Sequence, residues 1–514
     1  MVKHKNLNAI ISTEGGNNYY VSRSIPQVLL MHPVLKHLVA LKEEGKLEEW
    51  LNNQQPNETG EIKIEDGIYA SPKDIRYYCR YLQFLEEKKY FAGVKKYDMG
   101  PTTYSAPDVK RALANTSQIV FEVTEACNLN CKYCGFGEFY SGFDNRRDRT
   151  LDLDTAVKVL DYMVDLFESP LNRKYHKKIA LSFYGGEPLL NMAFIKEMVH
   201  EAKLRKLTYK RFYFSLTTNG VLLDRHMDFL AANDFSILIS LDGNEKNNGY
   251  RLFPDGSSSF ETVYKNILKI RKKYPDYFKR SVYFISVLHD KNSSKEVSRF
   301  FNREFQKTPL MSQINSIGIK PEKKAEFDKL FNLTYSDVTP QDLIADTKDK
   351  SRILDTPFVR TVFKFLRRYS GFLFGNYDRL ILNEPNPWHV CTGTCHPFEK
   401  KIFITANGNI LPCERILHSY SFGTVDKNGV HLDFKETAET YNRFFKKLMP
   451  HCNKCVNSDS CPFCIFTLDM HDENPVCENI MNEKQFKENL SSQLSILEEI
   501  PRYYPEIMKN YQVN

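Results

Sequence analysis

Cys127-Asn128-Leu129-Asn130-Cys131-Lys132-Tyr133-Cys134, preceded by Ile119-Val120-Phe121-Glu122-Val123, is the stretch on which the reading of this chain turns. Four of these five residues are β-branched or aromatic, and the run reads as a strand. Three thiols follow at once with the spacing C-x3-C-x2-C. Thiolates so close can hold three irons of a [4Fe–4S] cube and leave the fourth iron open. Such clusters ordinarily take four cysteines, so something else must complete the site. The competing reading is zinc, which favours four tetrahedral ligands. No histidine lies nearby in the sequence to supply the fourth.

Outward from this loop, strands and helices alternate. Strands are predicted at Ile119–Val123, Ile179–Tyr184, Phe212–Leu216, Ser236–Leu241, Val282–Leu288 and Ser316–Ile319. Amphipathic helices lie between them, such as Asp154–Phe167, with Ala156, Val159, Leu160, Met163 and Phe167 on one face, and Phe260–Lys272. Repeated βα units imply a parallel sheet with right-handed crossovers, and six of them an α/β partial barrel. In a barrel, chemistry sits at the C-terminal ends of the strands, where the cysteine loop falls.

The rest of the chain divides around this unit. Residues 1–110 read as a separate α+β module. It has a strand at Asn18–Val21 and a helix over Gln27–Lys42 that Pro33 breaks or restarts. A second helix opens at Ser71-Pro72, with Ser as cap and Pro in the first turn. On that helix Cys79 shares a face with Ile75, Tyr78, Leu82 and Leu85 and reads as a core cysteine. Residues 116–325 form the barrel and 326–385 a helical bridge that includes Pro357–Tyr369. Residues 386–480 are cysteine-rich and short of apolar runs, so they depend on metal for their fold. A helical tail with a break near Pro501 covers 481–514.

The chain has 514 residues, 42% hydrophobic and 26% charged, with a formal net charge of +7. That mild excess, scattered along the chain, does not ask for nucleic acid. No secretory signal is read at the N-terminus, and no apolar run approaches the roughly 18 residues of a membrane span. The expectation is a cytoplasmic protein with no membrane partner. Thiols stay reduced there, so clustered cysteines point to metal rather than disulfides.

Three strand ends carry short motifs: Gly185-Gly186-Glu187-Pro188, Thr217-Thr218-Asn219-Gly220 and Ser240-Leu241-Asp242-Gly243. Together with the cysteine loop they resemble the radical SAM superfamily (SAM, S-adenosylmethionine). The resemblance covers roughly residues 116–480. It implies that Cys127, Cys131 and Cys134 hold a cluster whose open iron chelates the amino and carboxylate groups of SAM. Tyr133 would flank the adenine. Gly185 and Gly186 would let backbone approach the methionine moiety, and Glu187 would accept from its ammonium group. Thr218, Asn219, Ser240 and Asp242 would line the ribose and carboxylate. Arg251 is a further candidate for that carboxylate, on less evidence. Ordinary turn chemistry accounts for Asn-Gly and Asp-Gly equally well.

A second group comprises Cys391, Cys395, Cys413, Cys452, Cys455, Cys461, Cys464 and Cys477. It resembles the SPASM extension of peptide and sulfatase maturases. The spacing before Cys464 is two residues where that pattern has three. The resemblance implies two auxiliary [4Fe–4S] clusters, giving three clusters in all. One would be held by Cys391, Cys395, Cys413 and Cys464, the other by Cys452, Cys455, Cys461 and Cys477. Full ligand sets imply electron transfer rather than substrate binding. Two structural zinc sites are the competing reading. In sulfatase-maturing relatives an acidic residue at the place of Glu414 is the candidate catalytic base. Its plain alternative is a carboxylate pairing with Arg415.

Relatives that modify ribosomally made peptides often carry a winged-helix-like module ahead of the barrel. That module binds the leader peptide by strand addition. The resemblance therefore implies an oxidoreductase. It would generate a 5′-deoxyadenosyl radical and oxidatively modify, by cross-linking, a residue of a leader-bearing precursor peptide. Its electron donor would be of flavodoxin or ferredoxin type. Two alternatives stand: a sulfatase-type maturase forming formylglycine, and a non-enzymatic zinc-stabilised binding scaffold.

Overall fold

The computed structural model describes residues 9–22, 27–91, 103–143, 148–173, 178–312, 314–315, 317–331, 392–456, 461, 463–473, 475–477, 482–499 and 501. Cys391, the expected helix Pro357–Tyr369, most of the expected bridge and the tail beyond Pro501 lie outside them.

The N-terminal unit has its own apolar core, built on Tyr20, Val34, Leu35, Leu38, Ile62, Ile75, Leu82 and Leu85. Strands β1 (Ala9–Ser12), β2 (Asn18–Ser22) and β3 (Gln27–Leu30) form an antiparallel sheet in that order. Helices α1 (Pro33–Glu43) and α2 (Leu47–Asn52), the hairpin β4 (Ile62–Glu65) and β5 (Ile68–Ala70), and helix α3 (Pro72–Glu87) follow. The expected helix over Gln27–Lys42 is thus corrected to a strand plus a shorter helix. Pro33 takes the first turn with His32 as N-cap, because proline lacks the N–H that a preceding turn would need. The Ser71 cap is observed: its side chain accepts from Asp74 N. Cys79 is partly buried and packs against the core of this unit.

After α4 (Ala106–Ala114) come the βα units: β6 (Gln118–Thr124), α5 (Leu153–Glu168), β7 (Lys178–Gly185), α6 (Met192–Leu204), β8 (Arg211–Thr218), α7 (Leu223–Ala232), β9 (Ser236–Ser240), α8 (Phe260–Lys273), α9 (Pro275–Ser281), β10 (Val282–Val287), α10 (Ser294–Phe305) and β11 (Leu310–Ser312). The six strands run parallel in sequence order. Burial alternates along them. Phe214, Leu216, Ile237, Ile239, Val282 and Phe284 are buried, whereas Ser215, Thr217, Leu238, Ser240, Ile285 and Val287 are half-buried on the opposite face. That second face carries a polar row, Gln118 Nε2 to Ser182 Oγ (2.8 Å) and Ser182 Oγ to Ser215 Oγ (2.6 Å).

One strand moved. The sixth is Leu310–Ser312, not Ser316–Ile319. Residues 317–320 instead pair with the chain after the cysteine loop: Ser141 N donates to Gly318 O, Lys320 N to Phe139 O, and Tyr140 bridges Ile319. Gly318 permits this at φ 70°, where a Cβ would lie 2.4 Å from Ser141 O. The alternating sequence does make β contacts, but with a loop rather than with the parallel sheet. Helix α11 (Lys324–Phe331) then lays Phe327 and Phe331 onto Tyr133, Phe139 and Tyr140.

Beyond residue 391 the sheet continues. Strand β12 (Ile402–Ile404) pairs parallel with β6, and β13 (Asn409–Leu411), β14 (Gly423–Asp426) and β15 (Gly429–Leu432) extend it antiparallel into a ten-stranded sheet. Helix α12 (Phe434–Cys452) packs against α4, and α13 (Glu483–Glu499) against β1. Among the described residues, no helix is long and apolar enough to cross a membrane.

Candidate functional site

The site begins where β6 ends. The register of β6 with β7 shifts between Glu122 and Thr124, so the chain leaves the sheet there. Gly185 and Gly186, at the tip of β7, press against it. A Cβ on Gly185 would lie 2.3 Å from Thr124 O, and one on Gly186 2.1 Å from Ala126 O. Gly186 N donates to Thr124 O at 2.8 Å and Glu187 N to Ala126 O at 2.9 Å. The glycines therefore serve the approach of two backbones, one of which runs into Cys127. Glu125, wholly buried, is held by Arg149 at 2.7 Å.

The loop itself is tied to the segment after β9: Asn130 N donates to Leu252 O (2.7 Å) and Lys132 N to Tyr250 O (3.0 Å). Hydrogen-bond donors point at two of its sulfurs. Cys127 Sγ faces Leu129 N (3.5 Å) and Asn219 Nδ2 (3.8 Å), and Cys131 Sγ faces Arg251 Nη1 (3.9 Å). Burial pushes the Cys131 thiol up to about 12, against the pull of Arg251. Such donors favour the thiolate, the form that ligates metal. Three thiols in one loop, with donors aimed at the sulfurs, fit iron–sulfur ligation. Among the described residues no three His, Cys, Asp or Glu side chains converge on a single ion. A cube instead takes one thiolate per iron.

Glu187 is fully buried. Its carboxylate accepts from Leu189 N (3.1 Å), Thr218 Oγ1 (2.8 Å) and Asn219 N (2.7 Å). Burial raises it and the three donors pull it part of the way back, leaving it at about 7. It thus ties the tips of β7 and β8 together. Thr218, 1% exposed, is engaged in that contact, whereas Asn219 reaches Cys127 and Asn128.

Asp242 is also fully buried. Its Oδ2 accepts from the Tyr133 hydroxyl and from Arg251 Nε (3.2 Å) and lies 3.5 Å from His289 Nε2, while Oδ1 accepts from Val287 N (2.9 Å). Burial alone would raise this carboxyl, but the Arg251 guanidinium holds it below the usual range. His289 stacks on the Tyr133 ring at 5.7 Å. Its Nδ1 accepts from Lys291 N, which leaves the proton on Nε2, toward Asp242. Asp242 therefore sits behind Tyr133 as an anchor, and Ser240 faces the half-buried side of the sheet. Sequence reasoning missed His289 and Tyr184, although both lie at C-terminal strand ends, where the barrel rule directs attention.

The second cysteine group is brought together in two sets. The thiols of Cys395, Cys413 and Cys464 interact electrostatically around the buried Tyr441. The Cys461 thiol is influenced by the charges of Cys455 and Cys452. Glu414 pairs with Lys401, not Arg415: Lys401 Nζ lies 2.9 Å from both carboxylate oxygens. Burial would raise Glu414, and Lys401 holds it below the usual range. At the tip of β7, burial pushes the Tyr184 hydroxyl well above its usual range, and the charges of Glu414 and Cys134 push it the same way.

Residues 121–301 match the family model of the Radical SAM superfamily. The chain carries a radical SAM domain. A domain of this kind supports an enzyme of radical chemistry and implies SAM and a [4Fe–4S] cluster. The radical SAM cyclopropyl synthase TigE of Paramaledivibacter caminithermalis is 24% identical over 349 residues, 66% of this chain and 65% of TigE. The match thus spans just under two thirds of that relative's length. Among solved structures, native anSMEcpe with bound AdoMet and Cp18Cys peptide aligns with TM-score 0.46 and 18% identity, over 77% of this chain and 99% of that one. Streptococcus suis SuiB bound to precursor peptide SuiA aligns with TM-score 0.38 and 14% identity, over 83% and 85%.

Proposed function

We propose that this chain oxidatively modifies, by cross-linking, a residue of a ribosomally made precursor peptide, using a radical made from SAM at Cys127, Cys131 and Cys134. Cys127, Cys131 and Cys134 would hold the cluster, which would supply the one electron needed to cleave SAM to methionine and a radical able to take a hydrogen from the peptide. The observation that carries the reading is the cysteine loop at the end of β6, with donors to its sulfurs and the β7, β8 and β9 tips gathered round it. The residues of the chain divide the remaining work. Tyr133 offers a fixed ring for the adenine, held by Asp242 and His289. Gly186, Asn219 and Ser240 flank the rest of SAM, and Glu187 lies behind them for its ammonium group. Substrate occupies the half-buried face of the sheet, beside Thr217, Leu238 and Ile285.

The two thiol sets would hold two auxiliary clusters, which would supply an acceptor for the remaining electron. Cys391 completes the first and Cys477 the second. Glu414, adjacent to Cys413, accepts the proton lost with that electron. The module before the barrel binds the leader. Edge β1 is covered by α13, whereas among the described residues β3 pairs with β2 alone and carries Gln27 and Leu30 exposed, Leu30 by 57%, so it is the edge for strand addition. The relative TigE is named a radical SAM cyclopropyl synthase. The setting is cytoplasmic, with a flavodoxin- or ferredoxin-type donor. The test is to incubate the iron-loaded protein with SAM, reductant and a leader-bearing peptide encoded beside it. Loss of two hydrogens from the peptide is expected. An unmodified peptide in the presence of 5′-deoxyadenosine formation would overturn the peptide assignment.

A further inference from the structure

Among the described residues Arg251 is the one buried Lys or Arg. It is 8% exposed and has Asp242 as its carboxylate partner. Two backbone hydrogen bonds set its register. Lys132 N on Tyr250 O and Asn130 N on Leu252 O bracket Cys131 on one side and Arg251 on the other, so the two residues face each other. The far side of the loop is closed by Ser259, whose hydroxyl donates to Arg251 O at 2.6 Å. With Nε on Asp242, the guanidinium turns Nη1 to Cys131 Sγ at 3.9 Å. Its plane also lies over the Tyr133 ring, 5.5 Å from the centroid.

We propose that Arg251 is a positioning residue that sets the reduction potential of the cluster at Cys127, Cys131 and Cys134, through a fixed, charged hydrogen bond to the Cys131 sulfur. This rests on the reading that these thiols hold a cluster. The chemistry is general. Hydrogen bonds to cluster sulfurs and nearby charge set the potentials of iron–sulfur centres. A cation stabilises the reduced, more negative state, and more strongly where water is excluded. Arginine suits the task because it stays protonated at any working pH and its planar fork fixes direction. Asp242 provides the opposing charge, so the pair holds the cation in place while moderating its field. The neutral donors at Cys127, Leu129 N and Asn219 Nδ2, have no such lever. This role differs from holding the carboxylate of SAM, which would act only when SAM is present.

The experiment is EPR-monitored redox titration of the full-length, iron-loaded protein without SAM, following the signal that changes when SAM is later added. Arg251→Gln is expected to move that midpoint to lower potential. Asp242→Asn, which leaves the cation and removes its counter-charge, is expected to move it to higher potential. Opposite signs separate an electrostatic role from mere damage, since loss of structure would alter both variants alike. If Arg251→Gln fails to load iron, Arg251→Lys serves in its place, with a smaller downward shift. Unmoved midpoints, or shifts of the same sign, would overturn the proposal. Unmoved midpoints with weakened SAM binding would assign Arg251 to SAM instead. A wild-type protein with no SAM-responsive signal would defeat the cluster reading itself, and is thereby distinguishable.

Discussion

Gly186→Ala isolates the contact on which the geometry of the cysteine loop depends. The added methyl would meet Ala126 O at 2.1 Å and Glu125 O at 2.5 Å, whereas real Cβ contacts keep above 3.0 Å. Both obstacles are backbone, so relief requires about 0.9 Å of movement in the segment that leads to Cys127. Two hydrogen bonds hold that segment, Gly186 N to Thr124 O and Glu187 N to Ala126 O. Overpacking of this kind costs about 1–3 kcal/mol, and straining the two bonds adds about 1 kcal/mol. The expected destabilisation is therefore about 2–4 kcal/mol. A reacting geometry displaced by about 1 Å loses roughly 100-fold in rate, so 5′-deoxyadenosine formation should fall on that scale. The assay is anaerobic turnover of SAM with dithionite, quantified by chromatography, beside a thermal melt. Gly135→Ala is the control. It lies next to Cys134, yet its Cβ would meet nothing nearer than Phe143 at 3.9 Å, and it should keep wild-type activity. Wild-type melting and turnover in Gly186→Ala, or equal losses in both variants, would refute the close-approach reasoning.

Tyr133→Phe keeps the ring but removes the donor to the buried Asp242. It should cost about 1–3 kcal/mol, read by melting, and weaken SAM binding several-fold, read by calorimetry. Lys401→Met leaves Glu414 without its cation and should destabilise by up to about 3–5 kcal/mol at neutral pH. Because Lys401 depresses Glu414 in the folded state, the pair contributes fully above the unfolded carboxyl range and is lost as pH falls through the folded value. The difference in melting between wild type and Lys401→Met should therefore shrink in acid. Glu187 behaves oppositely. With its folded value raised to about 7, the native state binds the extra proton between the unfolded value and 7. Stability of the SAM-free protein should fall by about 3 kcal/mol as pH rises through that window, and added SAM should restore more of it at pH 8 than at pH 6. A melt series over pH with and without SAM reads both effects.

The parallel sheet was legible because its strands alternate with helices whose apolar residues repeat at helical spacing. Five of six strands fall where the apolar runs place them, and the buried face of α5 is Ala156, Val159, Leu160, Met163 and Phe167 as spaced. The sixth was not, because Ser316–Ile319 has strand chemistry without any local mark of its partner. Gly318 and the 139–141 segment meet only in three dimensions. Pro33 signalled a helix start, but nothing local distinguished Val28-Leu29-Leu30 as a strand from one more helical turn. The structure gathers the cysteine loop and the strand-end motifs into one neighbourhood, whereas the partners of these residues were hidden in the sequence. Lys401 lies 13 residues before Glu414 in sequence and meets it across β12 and β13, so adjacency favoured Arg415. His289 carries no motif and becomes visible only once Asp242 and Tyr133 are seen to share it.

The central claim is that Cys127, Cys131 and Cys134 support reductive cleavage of SAM. Anaerobically reconstituted protein, given SAM and dithionite, should form 5′-deoxyadenosine, and the Cys127→Ala/Cys131→Ala/Cys134→Ala variant should form none while keeping the iron bound at the later cysteines. An iron-loaded wild-type protein that forms no 5′-deoxyadenosine, or a triple variant that forms as much as wild type, would contradict it.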